Sequence, residues 1–538
     1  MKKKYFYIAV LSLSLTGCSD VLDTLPTDRL SSEIYWQSDE DAELAANAIY
    51  TYLEDPHALL SKDIMSDLGC ATFNNSDEAR VETDIADTQT GLFSFTWNNM
   101  YKGIRLCNDY MHNVGNIEVK DQSRVKACTA EVRTLRAYFY ARLVSYFGGV
   151  PIITKPINIG ESKNATRNSA AEIYDFIENE LNAAATDLPV KASAVGRVTK
   201  GAALGILART MLFAAGNVTG DDNRTQAYLQ KAKKAADAVI ALGVYDLLPN
   251  YHELFDYAHE NNIEVIFDKQ YIKDKYANSV MNNFGAVSLG NNGSAISVTK
   301  QMVDEFETVN GKMISDDPTY DPRNPYINRD PRLKYTVFYP GAVLPDGSIY
   351  NSIEGCGTAD AIGASYQVAK TGLLSAKYIN AEDMGTSNRT NCGINLIIMR
   401  YAEILLIAAE TRIELNTELT AAAAYINKVR KRSDVDMPPI TATSQSELRK
   451  AVRHERIVEL GLEGHRFFDI RRYGIAEQAA TFTPEGITYV DDAGNLKTAV
   501  YSNYRKVFSA RDYLWPIPYN ELQLVTGLKQ NKGWNDTK

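Results

Sequence analysis

The 538-residue chain carries 57 Lys and Arg against 67 Asp and Glu, a formal net charge of −10. Its positive residues form no run longer than three, so it lacks the electrostatic footprint of a nucleic-acid binder. Its six cysteines include no C-x-x-C pair, which excludes a zinc ribbon and a thioredoxin-like redox motif.

Read in chain order, Lys2, Lys3 and Lys4 precede an apolar run from Tyr5 to Leu15 that is too short to span a bilayer stably. Leu15-Thr16-Gly17-Cys18 closes the run in place of an Ala-x-Ala site. That ending resembles the bacterial lipobox, in which the cysteine is acylated and becomes the mature N-terminus. Residues 1–17 are therefore expected to be a signal peptide and Cys18 a lipidation site. Durable anchoring takes more than one acyl chain, as in bacterial lipoproteins, and the expected location is the outer membrane, facing the exterior. Loss of the leader, which holds three lysines and no acids, takes the charge from −10 to −13. Nothing later reads as a transmembrane span. Cys70, Cys107, Cys128, Cys356 and Cys392 remain, widely spaced and odd in number, so at most some could pair and most are expected to pack as small hydrophobes.

No Pro/Gly/Ser-rich linker divides the chain, and one large continuous body is expected. From Val125 the apolar positions Cys128, Val132, Leu135, Phe139, Leu143 and Phe147 recur by threes and fours, one face of a helix. Gly148 and Gly149 end it and Pro151 prevents its resumption. Ser169 and Glu172 form a capping box ahead of Ile173, Phe176, Ile177, Leu181 and Ala184. A third helix follows Thr199, with Gly216 expected just past its end, and a fourth carries Tyr228, Ala232, Ala235, Val239 and Leu242 and stops at Gly243. Residues 244–395 change character: Gly, Asn, Asp, Pro and Tyr dominate, with strand candidates at Val265–Phe267 and Tyr335–Phe338. An irregular lobe laid over the helical scaffold is expected there, since binding residues favour loops held by rigid elements. Met399, Ala402, Leu406, Ala409 and Ile413 then mark one helix and Leu419, Ala422, Ile426 and Val429 the next, joined so briefly that they must form an antiparallel hairpin. Their alanine-rich seams suit close, tetratricopeptide-like pairing, though with no clean repeat length.

Catalytic signatures are absent. His454 in "HERIV" is followed four positions later by Val458 instead of a second histidine, so no zinc-protease helix is present. Glu455, Glu459, Glu463, Arg466, Asp469, Arg471 and Arg472 crowd one segment. Glycosidases oppose two carboxylates across a sugar, whereas residues four apart share one helix face, so these read as a structural ion-pair network. Trp97 and Tyr101, and Trp515-Pro516-Ile517-Pro518, read as packed core. No cofactor or metal site is expected.

Several segments in order resemble the SusD/RagB family of surface lipoproteins. They begin with "LDTLPTDRLSSEIYWQSDEDA" (Leu22–Ala42), "WNNMYKGIRLCN" from Trp97, "EVRTLRAYFYARLVSYFGGVPI" (Glu131–Ile152) and "RVTKGAALGILARTMLFAAG" (Arg197–Gly216). They continue with "MVDEFETVNGK" (Met302–Lys312), "YINRDPRL" (Tyr326–Leu333), "RYAEILLIAAE" (Arg400–Glu410), "INKVRKRS" (Ile426–Ser433), "ERIVELGLEGHRFFDIRRYG" (Glu455–Gly474) and "YLWPIPYNEL" (Tyr513–Leu522). The resemblance implies a mostly α fold, with tetratricopeptide-like helix pairs under an irregular ligand-binding lobe. On it, residues 18–243 form an N-terminal helical region and residues 244–538 the C-terminal region, made of the lobe (244–395), helices (396–474) and an extension. It also implies a non-enzymatic role: capture of oligosaccharide, or in some relatives peptide, and delivery to a SusC-like TonB-dependent β-barrel transporter. Two departures stand out. "LGNNGSAISVTKQ" before Met302 lacks the aromatic that carbohydrate-binding relatives often carry, and Ser19-Asp20 is not followed by an acidic run.

Sugar recognition uses flat aromatic faces together with amides or carboxylates that bond hydroxyls. Residues of these kinds cluster in loop-like sequence at Asp67, Phe73, Asn74 and Asn75, at Tyr271, Tyr276, Asn283 and Phe284, and at Tyr350 and Tyr366. These are the candidate ligand contacts. The competing readings are peptide capture, a surface glycoside hydrolase, and a helical scaffold that binds only proteins.

Overall fold

The structure is a computed structural model that describes residues 36–217 and 222–534. Cys18 and the signal segment lie outside the described residues. None of the described helices is long and apolar enough to cross a membrane.

Helices dominate. After α1 (Asp39–Ile49) come α2 (Gly91–Asn113), α3 (Gln122–Phe147), α4 (Ala170–Asp187), α5 (Lys200–Asn217) and α6 (Asp222–Ala241). Each of the helices from α2 to α6 packs against the next. The expected signals operate. Ser169 caps α4 and forms the reciprocal box with Glu172, and α3 ends at Gly148, whose φ of +69° suits a residue without Cβ. Leu135, Phe139 and Leu143 of α3 are fully buried. The end of α5 differs from its expected place, since the helix runs through Gly216 to Asn217. Trp97, at 4% exposure, is core as expected, with Tyr101 packed beside it.

The helical stack resumes after the lobe. α7 (Tyr401–Glu414) packs on α6, then pairs with α8 (Leu419–Arg430) and with α9 (Gln445–Leu460), which α10 (Arg466–Arg472) follows. Residues 270–395 leave and re-enter the stack at a neck where β2 (Val265–Lys269) pairs antiparallel with β6 (Leu396–Arg400). This pairing corrects the helical reading of Met399. It lies on β6 opposite Phe267, and the helix starts only at Tyr401. Strand pairing took a residue whose local pattern fits either element. Likewise Tyr335 and Thr336 close a helical turn, Arg332–Thr336, so β4 (Val337–Phe338) is half the expected strand.

The lobe has its own core, which draws on segments far outside residues 244–395. Leu59, Ile64, Cys70 and Ala79 from before α2, and Ile457 and Val458 from α9, pack with Tyr251, Phe255, Val298 and Phe306. Its strands are short: β1 (Gly69–Ala71) pairs with β3 (Ile296–Val298), and β4 with β5 (Leu374–Ser375). A separate hairpin is made by β7 (Glu485–Val490) and β8 (Leu496–Val500). The five described cysteines are all free thiols, buried except for Cys356.

Candidate functional site

The site is assembled around β3. On one side β1 pairs with it, and Thr72, the next residue, donates its N–H to Ala295 O at 3.1 Å and bonds Ser297 Oγ through its hydroxyl at 2.8 Å. On the other side the same Ser297 Oγ accepts from Lys370 N–H at 2.8 Å, and Val298 N–H donates to Leu373 O at 3.0 Å. One buried hydroxyl thus ties together two loops separated by nearly three hundred residues. The first loop presents Phe73 and turns tightly, Ser76 N–H donating to Phe73 O, so that Asn74 and Asn75 stand exposed at its tip. The second presents Tyr366, which is 74% exposed. The Phe73 and Tyr366 rings lie with centroids 6.5 Å apart, inclined at 59°. The two rings thus meet at one open surface, and two exposed amides stand in the adjoining turn.

A buried ion pair holds the first loop from behind. Glu82 accepts from Ala71 N–H and from the Tyr504 hydroxyl, each at 2.6 Å. Its other carboxylate oxygen meets Lys506 Nζ, which also donates to the carbonyls of Ile64, Ser66 and Gly69. Lys506 is fully buried. Nothing in the sequence marks Lys506, Glu82 or Ser297 as supports of a binding loop, because each acts on a partner remote in the chain.

The other candidates separate into distinct roles. Asp67 is engaged: its two carboxylate oxygens accept from Arg466 at 2.8 and 2.7 Å, which ties the loop to α10. Phe284 and Tyr350 are 2% and 1% exposed, so they are core side chains and not surface platforms. Aromatic residues in loop-like sequence were drawn inward because the lobe must build a core from few regular elements. Tyr350 supports the second loop from below, its hydroxyl donating to Gly372 O at 3.2 Å. Asn283 sits half-buried in the helical turn Val280–Phe284, its backbone carbonyl accepting from Ala295 N–H at 2.6 Å. Tyr271 and Tyr276 stack on each other at 5.4 Å, and Tyr276 lines a separate cleft that includes neither Phe73 nor Tyr366.

A model described as "SusD family" matches residues 263–534, just over half of the chain. The chain belongs to the SusD family. A second model, described as "Starch-binding associating with outer membrane", matches residues 31–212. SusD-like protein P2 of Formosa agariphila is 26% identical and aligns over 99% of both chains. The starch-binding protein SusD of Bacteroides thetaiotaomicron is also 26% identical, over 75% of this chain and 72% of its own. Among solved structures, a SusD-like carbohydrate binding protein from Bacteroides fragilis has a TM-score of 0.83 at 28% identity, covering 92% of this chain and 100% of that one.

SusD-family chains are binding proteins and not enzymes, and the charge arrangement here agrees with that. Glu455, Glu459 and Glu463 face arginines. Arg400 reaches Glu459 at 2.6 Å and Glu463 at 2.8 Å, Arg432 reaches Glu459 at 2.8 Å, and Arg332 reaches Glu455 and Glu459 at 2.5 and 3.0 Å. Burial alone would raise the Glu463 carboxyl, but Arg400 and Lys377 outweigh it and hold it at about 2. Arg432, Arg400 and Arg332 do the same to Glu459, holding it well below the usual carboxylate range. A carboxylate held this way has no proton to give near neutral pH, so it cannot serve as a glycosidase acid. The network is structural, as its spacing suggests. Arg471 departs from it: the guanidinium stacks 3.5 Å over the Phe467 ring and bonds Phe467 O, without a carboxylate within ion-pair distance among the described residues.

Proposed function

We propose that the chain captures oligosaccharide at the Phe73–Tyr366 patch while held to the outer membrane through a lipid on Cys18. It then passes the ligand to a SusC-like TonB-dependent β-barrel transporter. The observation that carries the reading is the meeting of two rings beside a turn with two exposed amides, the two loops being tied by the shared Ser297 bonds. The rings suit the apolar face of a pyranose, and Asn74 and Asn75 can both donate to and accept from its hydroxyls. The names of the relatives, starch-binding and carbohydrate binding, support the ligand class.

The test is calorimetric titration of the soluble body with neutral oligosaccharides of several linkages. A stacked ring contributes on the order of 1 kcal/mol, so Phe73→Ala or Tyr366→Ala should each weaken binding about fivefold and the pair some tens-fold. Wild-type affinity in the double variant would move the site elsewhere. Residues Leu289–Gln301 bring no aromatic ring to the patch, which favours peptide capture as the second reading. A chain that ignores every glycan but binds extended peptides would decide for it.

The anchor has its own test. Cys18→Ala should shift the protein from the outer-membrane fraction to the soluble fraction in cells lacking the transporter. Retention in the membrane would remove the lipoprotein reading.

A further inference from the structure

Tyr276 lines a cleft of about 340 Å3 that shares no residue with the Phe73–Tyr366 patch. Its walls come from different parts of the molecule: Asn47 on α1, Val195 and Arg197 in the segment before α5, Asp268 on the neck strand β2, and Gln270 and Tyr276 beyond it. The cleft therefore lies where the helical stack meets the lobe.

Its geometry suits a flat ligand. Tyr276 is 43% exposed, and its inner face is covered by Tyr271, which is only 7% exposed, with the two planes within 10°. A ring backed in this way is already ordered, so little rotamer entropy is lost when a second flat body lies on its free face. Lys269 locks the stack. Its Nζ lies 5.5 and 5.9 Å from the two ring centroids and donates to the carbonyls of Thr51 and Leu53. Opposite, Gly196 has φ of +78°, and a Cβ there would lie 2.3 Å from Gln270 Cγ, so the 194–197 segment presses close against the end of β2. Val195 is 68% exposed on that wall.

The polar groups decide the ligand class. Asn47 accepts from Arg197 through Oδ1 at 2.9 Å, which leaves its amide hydrogens for a ligand. Asp268 accepts from Gln270 at 2.7 Å and is only 4% exposed, so its carboxylate backs the wall of the cleft. Arg197 is neutralised by Glu131 and Glu43 at 3.0 Å each. Lys269 and Asp268 are opposite charges adjacent in the chain. An anion would meet Asp268 and a cation would meet Lys269, so neither is selected. A neutral ring with one apolar face and several hydroxyls meets the tyrosine face and the Asn47 amide, and the volume is at the small end of ligand pockets.

We propose that this cleft is a second saccharide site, which takes a neutral pyranose unit on the face of Tyr276 independently of the Phe73–Tyr366 patch. The proposal rests on the carbohydrate-binding reading, and the experiment separates the two. Ligand-observed saturation-transfer NMR and titration are run with maltose, maltoheptaose, xylohexaose, laminarihexaose and mannohexaose. Wild type, Phe73→Ala/Tyr366→Ala, Tyr276→Ala, Tyr276→Phe and the triple alanine variant are compared, with urea midpoints confirming that each is folded.

The expected result is weaker residual binding in Phe73→Ala/Tyr366→Ala that falls several-fold further in the triple variant, while Tyr276→Phe keeps wild-type behaviour because the ring remains. Absence of residual binding in the double variant, or residual binding that ignores Tyr276→Ala, overturns the second site and leaves the first standing. Full affinity in Phe73→Ala/Tyr366→Ala together with loss in Tyr276→Ala does the reverse. Silence of the wild type toward every glycan overturns both.

Discussion

Arg400→Met should lower the unfolding free energy by about 3–5 kcal/mol, the usual cost of breaking one side of a buried ion pair. Arg400 is 1% exposed and stands at the re-entry of the chain into the helical stack, between β6 and α7. Its guanidinium bonds Glu264 and Glu459 through one nitrogen, Glu463 through two, and the Glu459 carbonyl. Removing it leaves three buried carboxylates to Arg432, Arg332 and Lys377, which already have partners of their own. Methionine fills most of the volume, so the loss is electrostatic and not a cavity effect. Glu459→Gln should also destabilise, while leaving glycan affinity unchanged.

The acid limb gives an independent reading. The Glu459 and Glu463 carboxyls are depressed in the folded state against an unfolded value of about 4.3. Their stabilisation is therefore complete above pH ~4.5 and is lost as pH falls toward the folded value of about 2 for Glu463. Urea midpoints measured between pH 7 and pH 3 should fall less steeply for Glu459→Gln than for wild type. An unchanged midpoint in Arg400→Met at pH 7 would show that the network contributes nothing at this position.

Lys506→Met should have the second large effect, and it should touch binding as well as stability. The ammonium is the common partner of the Glu82 carboxylate and the carbonyls of Ile64, Ser66 and Gly69. Without it three buried acceptors lose a charged donor, each such bond being worth about 1.5–3 kcal/mol. Glu82 can answer by protonating: burial already pushes its carboxyl above the usual value even with Lys506 beside it. The net loss should therefore be about 3–5 kcal/mol, less than the sum of the separate bonds. Because the same ammonium fixes the approach to β1, and Thr72 and Phe73 follow directly, the folded fraction should also bind oligosaccharide several-fold more weakly. The measurements are a urea midpoint and a titration under conditions where the variant is folded. Lost stability with wild-type affinity would show that the first loop is positioned by Ser297 alone.

The helices were legible because their signals are local. The α3 stripe, the Ser169–Glu172 box and the Gly148 stop all depend on residues within one or two turns, and each stands where the periodicity places it. The order of family segments was equally readable, and so was the structural role of Glu455, Glu459 and Glu463, because residues spaced by four share one helix face. What the pattern missed was decided by pairing at a distance. Met399 fits a helical stripe but was claimed by β2, and Tyr335 and Thr336 fit a strand but closed a helical turn.

The candidate site shows the same division. Aromatic and amide residues in residues 244–395 and near Asp67 could be singled out as candidate sugar contacts from residue type alone. Which of them reach solvent could not, because an irregular lobe has no period relating position to burial. Phe284 and Tyr350 went into its core, Asp67 to Arg466, and Tyr276 to a cleft shared with α1. Phe73 and Tyr366 meet where Ser297, buried between two loops remote in sequence, bonds both loops. By itself the sequence determined the helices, their caps and the family, all of which rest on local spacing or segment order. The tertiary structure decided which aromatic rings form a surface and which buried charges hold it in place, because both depend on contacts between segments hundreds of residues apart.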